Sequence, residues 1–391
     1  MTRPDDSGNS GIRICSRCIY DSRISNISFD SDGVCSYCRQ VDSLLEMYGT
    51  GSPSGEAQLQ KILGEIKRAG RKRKYDCVIG VSGGTDSSYL LGKAIEWGLR
   101  PLAVHYDNTW NAAVATQNIG AVTKALDVDL YTYVVDNAEI DDIKRAFLLS
   151  GVPEFDADTD LGFVQVLRKA AAEHGIRYIL EGHSFVTEGI SPVGANYLDG
   201  AYIADIHRRF GRVKRHSYPL MSFWQFMKWA LIYRQKFIRP LWYIHYSKEE
   251  ARQHLVDNLG WNYYGGHHLE NRASTFAHTV WLPQRYGIDY RNLTLAASVR
   301  RGAMDREHAL EVYRTPVIPD PDLITYVKKR VKFSDADYDA CMSGPKRSFR
   351  DFKTYKKRFE RLRPLFAILA KANLVPMSFY LKYCFPSKGA A

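Results

Sequence analysis

Two short stretches of this 391-residue sequence hold residue types set close enough together to do chemistry. The first, SGGTDS at 82–87, places two glycines, three hydroxyls and one carboxylate directly after the apolar run Val78 to Val81. A tight strand-to-helix turn would use these residues for unusual backbone angles and for a helix cap. They also suit an anion cradle: glycine lets the backbone approach a phosphate, and the free N–H groups and dipole of a helix start favour negative charge. A Walker A loop is excluded, because Gly84 is followed by Thr85-Asp86 and not by the lysine that reaches the β- and γ-phosphates.

The second stretch is ICSRCIYDSRISNISFDSDGVCSYC, where Cys15 and Cys18, then Cys35 and Cys38, form two C-x2-C pairs sixteen residues apart. Each pair offers two thiolates to one tetrahedral ion, so the spacing predicts a structural zinc with no ligand position left for water. An iron–sulfur cluster and a pair of disulfides are the alternatives, the latter disfavoured by a reducing compartment. So short a module buries little core and needs such a staple.

The elements that must position the first stretch show a βα rhythm. CVIGV is followed by a helix from Ser87 to about Trp97, PLAVHY by one from about Asn111 to Leu126, and LYTYVV by a helical region around Phe163 to Glu173 before YIL at 178–180. Such alternation predicts an α/β fold with a parallel sheet and covering helices, its ligands bound beyond the C-terminal strand ends. Three strand ends would then meet at one crevice: SGGTDS, HYDNTW at 105–110 and EGHSFVTEG at 181–189. Magnesium usually takes one or two carboxylates plus phosphate oxygens, and Asp86 and Glu188 are placed to supply them. Asp107 is a candidate for a ribose hydroxyl or a base edge, and Glu181 and Gly182 open the strand end that leads to His183, a candidate for stabilising charge near a phosphate. Each acid could equally cap a helix or sit in a solvated loop.

Five segments follow from composition: a polar leader at 1–11, the cysteine module at 12–48, a linker and helix at 49–74 beginning with GTGSPSG, the α/β domain at 75–215, and a mainly helical, basic region at 216–391. The leader does not read as a signal peptide, which points to the cytoplasm. The net charge of +11 suits anionic partners. SFWQFMKWALIYRQKFIRPLWYI is too interrupted by charge for a membrane span, which leaves open a peripheral contact with an anionic membrane surface. In KRSFRDFKTYKKRFERLRP, Phe349, Phe352, Tyr355, Phe359 and Leu362 recur at helical spacing, as in a docked helix with a solvated basic face.

SGGTDS after a strand, with a later Gly-His strand end, resembles the PP-loop ATPase superfamily, whose Rossmann-like domain splits ATP between its α- and β-phosphates. That resemblance implies that Ser82, Gly83, Gly84, Thr85 and Ser87 grip pyrophosphate while Asp86 and Glu188 hold magnesium. The ordered set extends further. The cysteine pairs, VIGVSGGTDSSYLL, PLAVHYDNTWN, LYTYVVDN, YILEGHSFVTEGISP, YGGHHLENR and WLPQRYGIDYR together resemble the N-acetyl sugar amidotransferases of surface-polysaccharide (lipopolysaccharide, O-antigen) biosynthesis, from Cys15 to Tyr383. The resemblance implies adenylation of the acetamido carbonyl oxygen of a nucleotide-linked sugar. Ammonia from a separate glutaminase subunit then displaces AMP and leaves an acetamidino group.

The acceptor side is less defined. YYGGHHLENRASTF at 263–276 collects His267, His268, Glu270, Asn271 and Arg272. These read either as a helix start with surface polar residues or as a site in which Arg272 takes a phosphate and a histidine or Glu270 handles the protons of ammonia addition. No nucleic acid partner is expected. The rival reading is a tRNA-thiolating PP-loop enzyme, which would need reactive cysteines near the nucleotide, and Cys77, Cys341 and Cys384 form no C-x2-C pair. A noncatalytic nucleotide sensor is the third reading.

Overall fold

The computed structural model describes residues 11–191, 197–265 and 270–386. Its chain order begins with α1 (Ser36–Tyr48) and α2 (Pro53–Gly70), followed by β1 (Cys77–Gly80), α3 (Thr85–Glu96), β2 (Pro101–Asp107), α4 (Ala113–Ala125), β3 (Leu130–Val134), α5 (Asn137–Ser150), α6 (Ala157–Glu173), β4 (Tyr178–Leu180) and α7 (Phe185–Glu188). Next come α8 (Gly200–Phe210), α9 (Phe223–Leu231), β5 (Lys236–Ile238), α10 (Lys248–Leu259), α11 (Arg272–Phe276) and a π-helical segment, Ala277–Tyr286. The remainder is helical: α12 (Arg291–Arg300), α13 (Arg306–Arg314), α14 (Pro321–Val331), α15 (Asp335–Ser343), α16 (Lys356–Arg361), α17 (Arg363–Lys371) and α18 (Met377–Tyr383).

All five strands run parallel, in the order β3-β2-β1-β4-β5. β1 and β2 are apolar nearly throughout because helices cover both faces of the sheet. Successive side chains alternate between those faces. Val78, Leu102, Val104 and Ile179 join Val166 and Leu167 of α6 in one core. Cys77, Ile79, Ala103 and Leu180 join Leu59 and Leu63 of α2 and Leu90 and Leu91 of α3 in the other. A third core packs the four module cysteines, Tyr20 and Tyr37 against Leu295, Ala296, Ala309 and Leu310 of α12 and α13.

The α/β architecture expected from the rhythm is present, with four differences. The sheet does not end by residue 215, since β5 at 236–238 pairs with β4. Three residues among basic ones gave no alternation long enough to register as a strand. GTGSPSG is no loose linker either: Ser52 caps α2, Pro53 begins it, and a Cβ on Gly55 would stand 2.2 Å from the Gly49 carbonyl oxygen. The helical region around Phe163 begins earlier, at Ala157, and α5 precedes it. The aromatic-basic stretch from Lys346 is a short 3-10 turn, α16 and the start of α17 and not one helix, because Ser348 caps a new turn and Pro364 opens the next helix. Its aromatics dock all the same, with Phe352 and Phe359 buried. The leader, apart from Gly11, and the pair His267 and His268 lie outside the described residues.

Candidate active site

The turn after β1 is shaped by two backbone constraints. Gly83 has φ of +80°, and a Cβ there would come within 2.3 Å of the Ala115 carbonyl oxygen, so only glycine fits. The Gly83 carbonyl is pinned from the far side by the Trp261 indole N–H at 2.9 Å and the Asn118 amide at 3.3 Å. Gly84 then takes the cap position of α3 without any side-chain cap, and Gly84, Thr85, Asp86 and Ser87 of this helix start line the crevice. The Ser87 hydroxyl accepts from the Ser82 N–H at 3.3 Å, and the Ser82 hydroxyl accepts from the Gly84 N–H at 3.3 Å, holding the turn closed. Gly182 matters for a similar reason: a Cβ on it would stand 2.8 Å from the Asp86 backbone, so its absence lets the end of β4 pack onto the start of α3.

These strand ends border a crevice of about 490 Å³. Ser82, Gly84, Thr85, Asp86, Ser87, Glu181, Gly182, His183, Glu188 and Glu270, all singled out by the sequence, line it. Lys248 reaches from the start of α10 to lie 2.8 Å from Asp86 and 3.6 Å from Glu188. Burial opposes ionisation of Asp86, but the Lys248 ammonium and hydrogen bonds from Lys248 and Tyr246 outweigh it and hold the carboxyl below its ordinary range. Burial likewise disfavours the Lys248 charge, and the two carboxylates reverse that and raise its pKa. The two acids thus already share one cation.

His183 lies 3.5 Å from Glu188 and receives the Trp242 indole N–H on Nδ1 at 3.3 Å. Indole only donates, so Nδ1 is the acceptor and the ring proton sits on Nε2, facing Glu188. Glu181 is paired with Arg239 at 2.8 Å. Arg252 stacks 4.1 Å above the Tyr263 ring and also borders the crevice. Lys248, Arg239 and Arg252 therefore add three cations to a rim that carries five acids, counting Asp160. Sequence reasoning missed all three, because they come from the helical half, where nothing marks one lysine or arginine from another. Ser247, which caps α10 and so fixes where Lys248 emerges, was the available signal.

Two expected residues are used elsewhere. Asp107 accepts from the Thr109 N–H at 2.7 Å and closes the turn after β2, and it does not line the crevice. Arg272 opens α11 with its guanidinium 4.4 Å over the Tyr326 ring, where it packs an exposed surface and does not reach the crevice.

The cysteine module is a separate, closed site. The four sulfur atoms lie within 4.8 Å of one another and are fully buried. Cys15 and Cys38 are 3.9 Å apart and Cys18 and Cys35 3.8 Å. A tetrahedral ion about 2.3 Å from each sulfur requires an edge of about 3.8 Å, so the donor set fits a single ion. Backbone N–H groups of Cys18 and Cys35 point at Cys15 Sγ, and Arg300 donates to Cys38 and Cys18 at 3.2 and 3.4 Å, all of which favour thiolates. Arg300 ends α12, and α12 packs on α7, which carries Glu188.

A parallel sheet whose first strand runs into SGGTDS on an uncapped helix start is the arrangement that the resemblance to PP-loop ATPases implies. Residues 270–363 match the family described as LPS biosynthesis protein WbpG-like, C-terminal domain. An uncharacterised protein of Methanocaldococcus jannaschii, MJ1599, is 29% identical over 172 residues, 43% of this chain, which spans 58% of that relative's length. Similar solved structures include NMN synthetase from Francisella tularensis, at TM-score 0.33 and 13% identity over 72% of this chain and 95% of that one. They also include the NH3-dependent NAD synthetase of Campylobacter jejuni, at TM-score 0.31 and 13% identity over 75% and 98%. The U34-tRNA thiolase NcsA of Methanococcus maripaludis, with its [4Fe-4S] cluster, follows at TM-score 0.29 and 15% identity over 66% and 80%. Likeness at that level does not separate one reaction from another.

Proposed function

We propose that this chain uses ATP to activate the acetamido carbonyl oxygen of a nucleotide-linked N-acetyl sugar, and that ammonia then replaces that oxygen to give an acetamidino sugar. The observation that carries the reading is the pairing of the uncapped SGGTDS helix start with a crevice whose two central carboxylates, Asp86 and Glu188, share the Lys248 cation, in a chain with a WbpG-like C-terminal domain. The first-turn N–H groups, Ser82, Thr85 and Ser87 take the β- and γ-phosphates, with Arg252 and Lys248 at hand for the remaining charge. Asp86 and Glu188 are the residues to hold magnesium, which when bound would neutralise phosphate charge. His183, its Nε2–H directed at Glu188, orients that carboxylate beside the place the α-phosphate would take.

An amide carbonyl is a weak electrophile with a very poor leaving group. Transfer of the adenylyl group to its oxygen expels pyrophosphate and leaves an imidate, ammonia adds at carbon, and the C–O bond breaks to release AMP carrying the former carbonyl oxygen. Glu270, on the crevice wall, is placed to accept a proton from the added nitrogen. Cys77, Cys341 and Cys384 are buried and none lines the crevice, which favours a nitrogen nucleophile over a sulfur relay. The same three thiols leave no evident glutaminase nucleophile, so ammonia comes from a separate subunit. The ion of the four-cysteine module is zinc and structural.

Purified chain given ATP, an N-acetylated nucleotide-sugar and either ammonium or glutamine tests this. Amidine, AMP and pyrophosphate should form with ammonium and not with glutamine alone. Release of ADP and phosphate, or ATP-dependent sulfur incorporation into tRNA, would overturn it.

A further inference from the structure

Each oxygen of the two central carboxylates has a protein donor in front of it. The Tyr246 hydroxyl donates to Asp86 Oδ1, and the Lys248 ammonium lies 2.8 Å from Asp86 Oδ2. At Glu188, Lys248 faces Oε1 at 3.6 Å and His183 Nε2 faces Oε2 at 3.5 Å. Lys248 therefore bridges the two acids, and its departure would free an oxygen on each of them at once.

An ammonium and a divalent ion compete for these oxygens. Magnesium takes carboxylate oxygens at about 2.1 Å, well inside an ammonium contact, so the two cannot share Asp86 Oδ2. Both Asp86 and Lys248 are mostly buried, so neither charge is left behind cheaply when the other goes. Each also keeps the other ionised, the carboxyl held below its ordinary range and the ammonium above. Lys248 leaves the acids only if a second anion receives it. Lys248 and Arg252 stand four residues apart on α10 and so share a face, and both line the crevice together with Ser82, Gly84, Thr85 and Ser87. The lysine stem is four flexible carbons long, enough to swing from the carboxylates to a polyphosphate in the same crevice while a divalent ion takes its place.

From these contacts we infer that Lys248 is a built-in counter-cation that closes the Asp86–Glu188 pair to divalent ions until a polyphosphate draws the ammonium away, so that metal enters with the nucleotide and not ahead of it. The inference rests on reading the crevice as a nucleotide site, but not on the reaction that follows. The test is titration of the full chain with manganese alone, the free ion being followed by its paramagnetic resonance. Lys248→Met should bind manganese at least about tenfold more tightly than the native chain, the factor expected when the competent arrangement is open about a tenth of the time or less. Lys248→Arg, which keeps the positive charge, should bind as weakly as the native chain. Adding Asp86→Asn to Lys248→Met should abolish the gain, which assigns it to this pair of acids. In the native chain, manganese alone should leave the melting temperature unchanged while magnesium with ATP raises it by several degrees, a readout that needs no variant to fold. Equilibrium dialysis with labelled ATP and magnesium separates the two ways of failing. ATP that does not bind would remove the nucleotide reading and this inference with it. ATP that binds, beside manganese held as tightly by the native chain as by the folded Lys248→Met variant, or manganese alone stabilising the native chain, would overturn this inference and leave the nucleotide reading standing.

Discussion

The cysteine module and the SGGTDS crevice are both built from charged or ionisable groups, yet they are organised in opposite ways. The module draws its four cysteines from 24 consecutive residues and buries them completely, with backbone N–H groups and Arg300 directed at the sulfurs. The crevice gathers its groups from Ser82 to Glu270 and keeps them partly open, with side-chain exposures of 16% for Asp86, 18% for Lys248 and 39% for His183. A closed set of ligands stabilises a small fold by never exchanging partners. An open set keeps its charges in pairs, such as Asp86 with Lys248, that a ligand can displace without leaving any charge buried alone.

That contrast can be broken most severely at Asp86. Asp86→Asn keeps the shape but removes the charge that Lys248 and a divalent ion would share. Turnover should fall on the order of a thousandfold or more, about 4 kcal/mol of transition-state stabilisation, while the melting transition stays cooperative. Steady-state rates beside a thermal melt check this, and a variant with near-normal turnover would remove Asp86 from the chemistry.

Replacing Cys15 and Cys35 together by serine attacks the other region. Elemental analysis should drop from one zinc per chain to none, with a stability loss of several kcal/mol. Because Arg300 links the sulfurs to α12, and α12 packs on the Glu188 helix, activity should also fall, by roughly tenfold. Zinc retained in the double variant would contradict the ligand set.

The two regions also differ in how far their sequences disclosed them. The module was legible because metal knuckles are local: two C-x2-C pairs specify both ligands and geometry. In the crevice, SGGTDS, Gly182, His183 and Glu188 were legible, since strand ends and glycines announce themselves by pattern. The cations were not. Lys248, Arg239 and Arg252 enter from segments whose placement depends on β5 joining the sheet and on where the Ser247 cap starts α10, and both are long-range facts. The same limit explains Arg272, a plausible phosphate ligand by type that the fold spends on the face of Tyr326.

Arg272 therefore sharpens the comparison. Arg272→Ala should cost about 1 kcal/mol from the lost stacking and leave KM for the nucleotide-sugar within about twofold. A large rise in KM would return the residue to the acceptor site. A smaller effect is expected at Glu249, beside Lys248, whose carboxyl is lowered to about 2 by hydrogen bonds from Arg301. A depressed carboxylate contributes stability above its unfolded value and loses it as pH falls toward 2, so Glu249→Gln should flatten acid unfolding between about pH 4.5 and 2. Glu249 is 60% exposed, so solvent screening limits the effect to a few tenths of a kcal/mol, measurable by thermal melts across that range.

The central claim is that the acetamido oxygen itself is activated, and an isotope label reports on that atom directly. A nucleotide-sugar carrying oxygen-18 in its acetyl carbonyl, turned over with ATP and ammonium, should place one oxygen-18 in the phosphate of AMP and none in pyrophosphate, with one AMP formed per amidine. Unlabelled AMP accompanying amidine formation, or label appearing in pyrophosphate, would contradict the account.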